Sequence, residues 1–512
     1  MAIYVFLAGG LAGCQEKIDL VVPVTPVAPV AQNPAPAIPE GVVGPVPVPG
    51  PSGSPSDPAL PTLPLPPSQS SVNPPTSGPE APSTLPPVAA CVNPEKAPSW
   101  IELLREMKDL TQAKWLEFGP DGALASRGFH GELTREWKPG PNDADKGLIQ
   151  QSRDVWLLSR WYEESRDDLY PILAANTFRF IREQLCAGEG YCRPSVNRAY
   201  GDLAYRTYGH AFAIYGAAQY ALATGDGEAR RFALRLFDLL ERKQHDPVHG
   251  GYLQPGAEEW GMDPSSFSKS TNAHMHLLEA FTVLYQLTQD SRVKDRLTEL
   301  VSIVLTHLIE ERQGRTYMAN FHKADWSRAV GASVPSNLGH DIEMVWLVYK
   351  ACDEALGWNV PGWSRRTILN RLVRLGLSAA RFGFDEVHGG FYELAEGGLP
   401  TVTATKDWWP HFEGMEGLFR IADILRREGD LIDLPGQAGI IQGLFEKLDR
   451  TVSFIHDHQY DHQHGGFFQR VWADGSAEAS RSDNQVDFWK CEYHSMRGLM
   501  NLIAWLSTPC QS

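Results

Sequence analysis

Asp246-Pro247-Val248-His249-Gly250-Gly251-Tyr252 recurs as Asp385-Glu386-Val387-His388-Gly389-Gly390-Phe391 and again as Asp461-His462-Gln463-His464-Gly465-Gly466-Phe467, with a fainter echo in Phe129-His130-Gly131-Glu132. A phrase repeated at separated positions marks a chain built from like units. Gly-Gly followed by an aromatic residue reads as a tight turn entering a short strand. Around these turns, apolar residues recur at helical spacing in twelve amphipathic stretches: 97–116, 147–165, 168–188, 203–223, 227–243, 269–290, 293–313, 338–356, 362–382, 408–428, 437–458 and 490–507. Twelve helices make six hairpins. The expected fold is therefore all-α, an (α/α)6 barrel or toroid with short β-hairpins at one end. In such a ring the loops leading into the inner helices converge on one funnel, so residues distant in sequence meet there.

Working outward, the helical pattern sets a barrel domain at 96–510. Residues 15–95 are a Pro-rich stretch, as in Val22-Pro23-Val24-Thr25-Pro26, nearly without charge or aromatic rings. That composition favours extended polyproline II and a disordered, semi-rigid linker. Residues 1–14 are an apolar run ending Leu11-Ala12-Gly13-Cys14, which resembles the lipobox of bacterial lipoproteins. On that resemblance Cys14 is the lipidation site, and the chain is exported and held to a membrane at its periplasmic or cell-surface face. The run lacks the basic residues that usually precede a secretory leader. It is also short of the roughly 20 apolar residues of a spanning helix.

Six further cysteines follow. Export permits disulfides: Cys186 and Cys192 flank a Gly-rich turn and are placed to pair locally, Cys91 and Cys510 bracket the barrel, and Cys352 and Cys491, inside helical patterns, read as free thiols. Sequence alone does not settle the pairing.

The net charge of -16 and the absence of any Lys/Arg run exclude a nucleic-acid footprint. A chain with 15 Trp and 16 Tyr suits a neutral sugar, mono- or disaccharide, because aromatic faces stack on pyranose C–H surfaces while polar groups take the hydroxyls.

Four segments concentrate groups that bind or move protons. In Asn272-Ala273-His274-Met275-His276-Leu277-Leu278-Glu279, Asn272 and His276 share a helix face and His274 points elsewhere. In Gly339-His340-Asp341-Ile342-Glu343, Glu343 lies three residues from His340, where a carboxylate would fix the imidazole tautomer. In Lys406-Asp407-Trp408-Trp409-Pro410-His411-Phe412-Glu413-Gly414-Met415-Glu416, Trp409, Glu413 and Glu416 fall on one face. The fourth, Trp489-Lys490-Cys491-Glu492-Tyr493-His494-Ser495-Met496-Arg497, puts an indole, an imidazole and a guanidinium at a helix start. Gln151-Ser152-Arg153-Asp154-Val155-Trp156 adds Arg153 and Trp156 on one face. Singly each reads as packing; together, two histidines with Arg, Asn and Trp from separate helices suit proton transfer at carbon. The cluster His456, His458, His462 and His464 straddles a helix end and a turn without matching Cys or carboxylate spacing, and reads as a solvated loop rather than a metal site.

Asn-x-His-x-His-x-x-Glu-Ala, Gly-His-Asp-Ile-Glu, Lys-x-Trp-Trp-Pro and Trp-Lys-x-x-Tyr-His, in this order over about residues 97–507, resemble the signatures of the N-acylglucosamine 2-epimerase superfamily, in its cellobiose 2-epimerase branch. The resemblance implies an isomerase that removes the C2 proton beside an open-chain aldehyde to give an enediolate and returns a proton to the other face of C2. It implies His340 and His494 as the acid/base pair, Glu343 as the support of His340, and Arg153 and His276 as stabilisers of the enediolate oxygens. Asn272, Trp408, Trp409, Glu413 and Trp489 would hold the sugar, with Tyr208 in the cavity wall. Neutral imidazoles suffice for such chemistry, so neither cofactor nor metal is expected. The chain departs from the branch at His411, where Gln is usual, at Glu492 for Pro, and at Ser495-Met496 for Asn-Gly, positions near the sugar in the family.

The readings weighed beside C2 epimerisation of a β-linked disaccharide are mannose or aldose–ketose isomerisation and N-acylglucosamine epimerisation. The last branch usually lacks the Asp of Gly-His-Asp-Ile-Glu and the second His of the Asn-led motif. Of other classes, an (α/α)6 glycoside hydrolase would use Glu413 and Glu416, and a sugar-binding lipoprotein would leave the paired histidines without a role.

Overall fold

The computed structural model describes residues 96–188, 190–197, 206–254, 268–328, 335–400, 405–476 and 484–507. The expectations for residues 1–95, lipidated Cys14 and a Cys91–Cys510 pairing lie outside them.

Twelve helices are present among the described residues: α1 Ala97–Phe118, α2 Leu148–Ser165, α3 Leu169–Phe180, α4 Arg206–Thr224, α5 Gly227–Lys243, α6 Thr271–Thr288, α7 Ser291–Ile303, α8 Leu338–Lys350, α9 Arg365–Phe382, α10 Trp409–Arg427, α11 Gln437–Phe454 and α12 Tyr493–Ser507. They pack as the six-hairpin ring. α2, α4, α6, α8, α10 and α12 neighbour one another in turn and α12 returns to α2; α3, α5, α7, α9 and α11 lie outside, and α1 packs on α12 to close the circle. Burial separates the two layers as physics requires. The outer α5 buries a single stripe, Ala229, Phe232, Ala233, Leu236, Phe237, Leu239 and Leu240, whereas the inner α6 is buried almost continuously from Thr271 to Leu284. None of the described helices is long and apolar enough to cross a membrane.

Two expectations need correction. The stretch 293–313 is not one helix: α7 ends at Ile303, widens through a π-type turn at Val304–Leu308, and gives way to strand β1, Ile309–Arg312, paired antiparallel with β2, Arg315–Met318. Gln313 and Gly314 both have positive φ, 50° and 74°, as a two-residue hairpin turn demands. The Gly-Gly phrases are not β-hairpins either. Each closes with one antiparallel bridge, His245 to Tyr252, Phe384 to Phe391, and Tyr460 to Phe467.

The repeats are held by side chains instead. In each turn the Asp carboxylate accepts backbone N–H bonds from the residues two and three ahead, as Asp385 does from Val387 (2.9 Å) and His388 (3.1 Å). A buried lysine just before the next inner helix clamps that turn. Lys406 Nζ donates to Asp385 Oδ2 (2.7 Å), the Gly389 carbonyl (2.6 Å) and the Ala473 carbonyl (2.8 Å), and Lys269 does the same to Asp246, Gly250 and Ala324. Lys146 grips Asp121 at 2.5 Å, which places the first copy of the turn at Asp121 to Phe129, with Gly128 before the aromatic, rather than at the echo around His130.

Five residues beyond each of these lysines an inner-helix side chain takes the backbone N–H of the aromatic residue. Tyr252 N–H donates to His274 Nε2 (2.9 Å), Phe391 N–H to His411 Nδ1 (3.0 Å), and Phe129 N–H to Gln151 Oε1 (2.8 Å). Both imidazoles must be neutral to accept, and burial pushes each down to about 3. Because their folded values lie below the ordinary 6.5, the stability they confer is complete above that pH and drains away as pH falls from 6.5 toward 3. Urea unfolding is expected to lose about 2 kcal/mol for each of the two histidines between pH 6.5 and pH 5. A midpoint that stays flat over that interval would overturn this account.

Candidate active site

The inner helices begin where short strands deliver them. β3, Lys269–Ser270, leads into α6; β4, Pro335–Asn337, into α8; and β5, Thr405–Asp407, paired with β6, Arg470–Trp472, into α10. Ser270 and Asn337 cap their helices, accepting from Ala273 N and His340 N. Six helix starts thus face one cavity of about 310 Å³. Its lining brings together Arg153 of α2, Tyr208 of α4, Asn272 and His276 of α6, His340 and Glu343 of α8, Trp409 of α10 and His494 of α12, with Trp408 and Trp489 just before the last two helices. Trp489 stands at the rim, 38% exposed, and Trp408 is buried.

Three wall residues went unread in the sequence. Glu393, Asp407 and Gln469 flank the strands and line the same cavity. Asn337 Nδ2 donates to Glu393 at 3.2 Å, and Arg470 Nη2 to Asp407 at 2.7 Å. Burial and the neighbouring Asp407 hold Glu393 well above the ordinary carboxylate range. Short strand-edge carboxylates carry no helical period, and only the strand pairing brings them together.

Behind the lining lies a charge network around Arg497, itself 2% exposed. The guanidinium donates to Glu279 Oε1 (2.9 Å), Glu343 Oε1 (3.2 Å) and Glu413 Oε1 (2.5 Å), and its Nε lies 3.5 Å from Glu416 Oε1. It stacks on Trp346 and Tyr493. Two cavity histidines are backed by this network. His494 Nδ1 bonds Glu413 Oε1 at 2.6 Å and His276 Nδ1 bonds Glu279 Oε2 at 2.9 Å, so the Nε2 of each is left as the acceptor. Arg153 Nη2 reaches both Tyr208 OH (3.0 Å) and His494 Nε2 (3.4 Å), and Nη1 holds the Trp489 carbonyl.

The expected support of His340 by Glu343 is not found: Glu343 turns to Arg497, and the His340 ring packs on Trp409, centroids 5.0 Å apart. The buried guanidinium is the stronger partner for a carboxyl at that depth. Burial, with the Glu413 charge added, pushes Glu343 well above the carboxylate range. Burial also drives His276 and His494 below the ordinary imidazole value and His340 to about 3. All three are neutral.

Glu413 does not line the cavity but stands behind it, and Glu416 bonds Asn501 at 2.7 Å. Both are fully buried, so the two carboxylates that a hydrolase would need have no access to substrate water. His411 likewise faces the Gly-Gly turn rather than the cavity, and Glu492 pairs with Ser495. None of these departures from the family pattern is among the residues that line the cavity.

Residues 128–491 match the family described as N-acylglucosamine 2-epimerase (GlcNAc 2-epimerase). The cellobiose 2-epimerase of Bacteroides fragilis is 27% identical over 421 residues, covering 78% of this chain and 98% of that protein. That of Dictyoglomus turgidum is 24% identical over 377 residues, 72% of this chain and 89% of its own. Among solved structures, the cellobiose 2-epimerase from Spirochaeta thermophila superposes with a TM-score of 0.66 at 26% identity, over 82% of this chain and 99% of that one.

Proposed function

The chain belongs to the N-acylglucosamine 2-epimerase family, and from that premise we propose that it inverts C2 of the reducing-end aldose of a β-linked disaccharide of the cellobiose type, glucose to mannose. Membership makes it a carbohydrate epimerase, an enzyme of the isomerase class. The cellobiose 2-epimerases among its relatives support the choice of substrate.

One observation carries the mechanism: two neutral histidines from different helices, His340 and His494, line one cavity with the fixed guanidinium of Arg153 beside them. One imidazole takes the C2 proton and the electron pair moves onto the aldehyde oxygen, giving the enediolate. The other, having taken up a proton from solvent and become an imidazolium, delivers that proton to the opposite face of C2, and the first gives the proton it removed to solvent, which resets the pair. Arg153, His276 and six converging helix N-termini favour the negative charge that develops. Asn272, Tyr208, Trp408, Trp409 and Trp489 offer rings and polar groups to the sugar.

The site of action we infer is outside the cytoplasm, through the lipobox at Cys14. The Cys186–Cys192 disulfide supports an oxidising compartment.

The test is an NMR time course in deuterated water with cellobiose, mannose, glucose and N-acetylglucosamine. Deuterium at C2 together with the C2 epimer of cellobiose is expected. Deuterium at C1 with a ketose would assign an isomerase instead, and no exchange in any sugar would overturn the enediolate.

A further inference from the structure

Of the four histidines at the end of α11, the structure brings two together and adds a carboxylate the sequence did not suggest. His456 lies in the π-type turn that follows α11, Ile455–Gln459, and His462 in the turn that follows it. Glu106 comes from the middle of α1, some 350 positions earlier. Ligand atoms of the three lie within 4.8 Å of one another. His458, by contrast, packs on Phe454.

What singles out this trio is the state of its two rings. His456 Nδ1 bonds Asp457 Oδ1 at 2.7 Å, and His462 Nε2 bonds the His456 carbonyl at 2.8 Å. Each bond takes up the N–H of one ring nitrogen and leaves the other as a bare lone pair. A carboxylate or a backbone carbonyl on the far nitrogen is the usual arrangement behind a metal-bound imidazole, because it fixes the tautomer and raises the ring's basicity. The rings are 4.8 Å apart at 76°, an open angle that lets both lone pairs turn to one point. Ligands at about 2.1 Å from a tetrahedral ion stand about 3.4 Å apart, so rotation of the exposed Glu106 and His462 and the partly buried His456 through about one ångström completes the set. The fourth position faces solvent and takes water.

We propose that Glu106, His456 and His462 form a surface site for one divalent late first-row cation, with zinc the best match to two imidazoles and a carboxylate. The site is separate from the sugar cavity. It joins α1, which closes the ring against α12, to the end of α11, so an ion bound there ties the seam between the first and last hairpins. A ligand that binds only the folded seam stabilises the fold by mass action.

The experiment uses the full chain, freed of metal with EDTA and dialysed, then titrated with Zn2+ by calorimetry and followed by thermal unfolding. We expect one Zn2+ per chain and a rise in the unfolding midpoint of about 2–4 °C once Zn2+ stands 100-fold above its Kd. Glu106→Gln, His456→Ala and His462→Ala should each weaken binding at least tenfold, while leaving the midpoint in EDTA and the sugar turnover unchanged. Co2+ gives an independent reading: its visible absorption should report nitrogen ligation in the parent and vanish in His462→Ala. The inference is overturned by the absence of stoichiometric Zn2+ binding, or by binding that survives intact in His456→Ala and His462→Ala.

Discussion

Replacing His340 or His494 by Asn is expected to abolish epimer interconversion, with a loss of about 10² to 10⁴ in kcat, the usual worth of a positioned acid or base. The two variants should differ in a way that no binding defect imitates. When one histidine is gone, the other still faces one side of C2. The epimer whose C2–H points to it goes on exchanging deuterium, while the other epimer falls silent. His340→Asn and His494→Asn should therefore retain exchange in opposite epimers. Burial depresses both imidazoles, so the acid limb of kcat/KM in the parent should fall below the ordinary histidine value of about 6.5. Near-parental interconversion by either variant would sink the two-histidine mechanism, and loss of exchange in both epimers by both variants would point to a shared structural failure.

That pair was readable from sequence because each histidine stands within the first turn of an inner helix, and a ring of helical hairpins brings such turns to one place. The twelve helices were readable for the same reason: an outer helix must bury one stripe, and the stripe has a period. What escaped has no period. Glu393, Asp407 and Gln469 reach the cavity through strands of two or three residues. The spacing from the clamp lysines was in plain view, yet its meaning needed coordinates. Five residues on, His274 and His411 turn away to hold a Gly-Gly turn; seven residues on, Arg153, His276 and Glu413 turn toward the centre of the ring. His411, which the sequence marks only as a departure from the family pattern, belongs to the first set. Glu343 reads as the partner of His340 from spacing and from the family resemblance, and neither shows that a guanidinium from α12 competes for it.

Arg497 is the residue whose loss should cost the fold most. Among the described residues it is the one cation shared by Glu279, Glu343, Glu413 and Glu416, all buried. Removing one partner from a buried ionic cluster leaves charge without compensation, worth about 3–5 kcal/mol. Arg497→Met should lower stability by that amount in urea, and Arg497→Lys should recover only part of it, since an ammonium does not make the forked bonds of a guanidinium. A double variant, Arg497→Met with Glu413→Gln, should be more stable than Arg497→Met alone, because it removes a charge the arginine had been balancing. The pH dependence has a definite sign. Against the opposition of burial, Arg497 and the His276 and Tyr493 bonds hold Glu279 down to about 2. Its contribution is therefore complete above the unfolded value near 4.5 and is lost as pH falls from there toward 2. The gap between parent and Arg497→Met should accordingly narrow across that interval. A variant as stable as the parent at pH 7, or a gap that does not close in acid, would show that the four carboxyls are kept neutral without the arginine and that the network is held by hydrogen bonds alone.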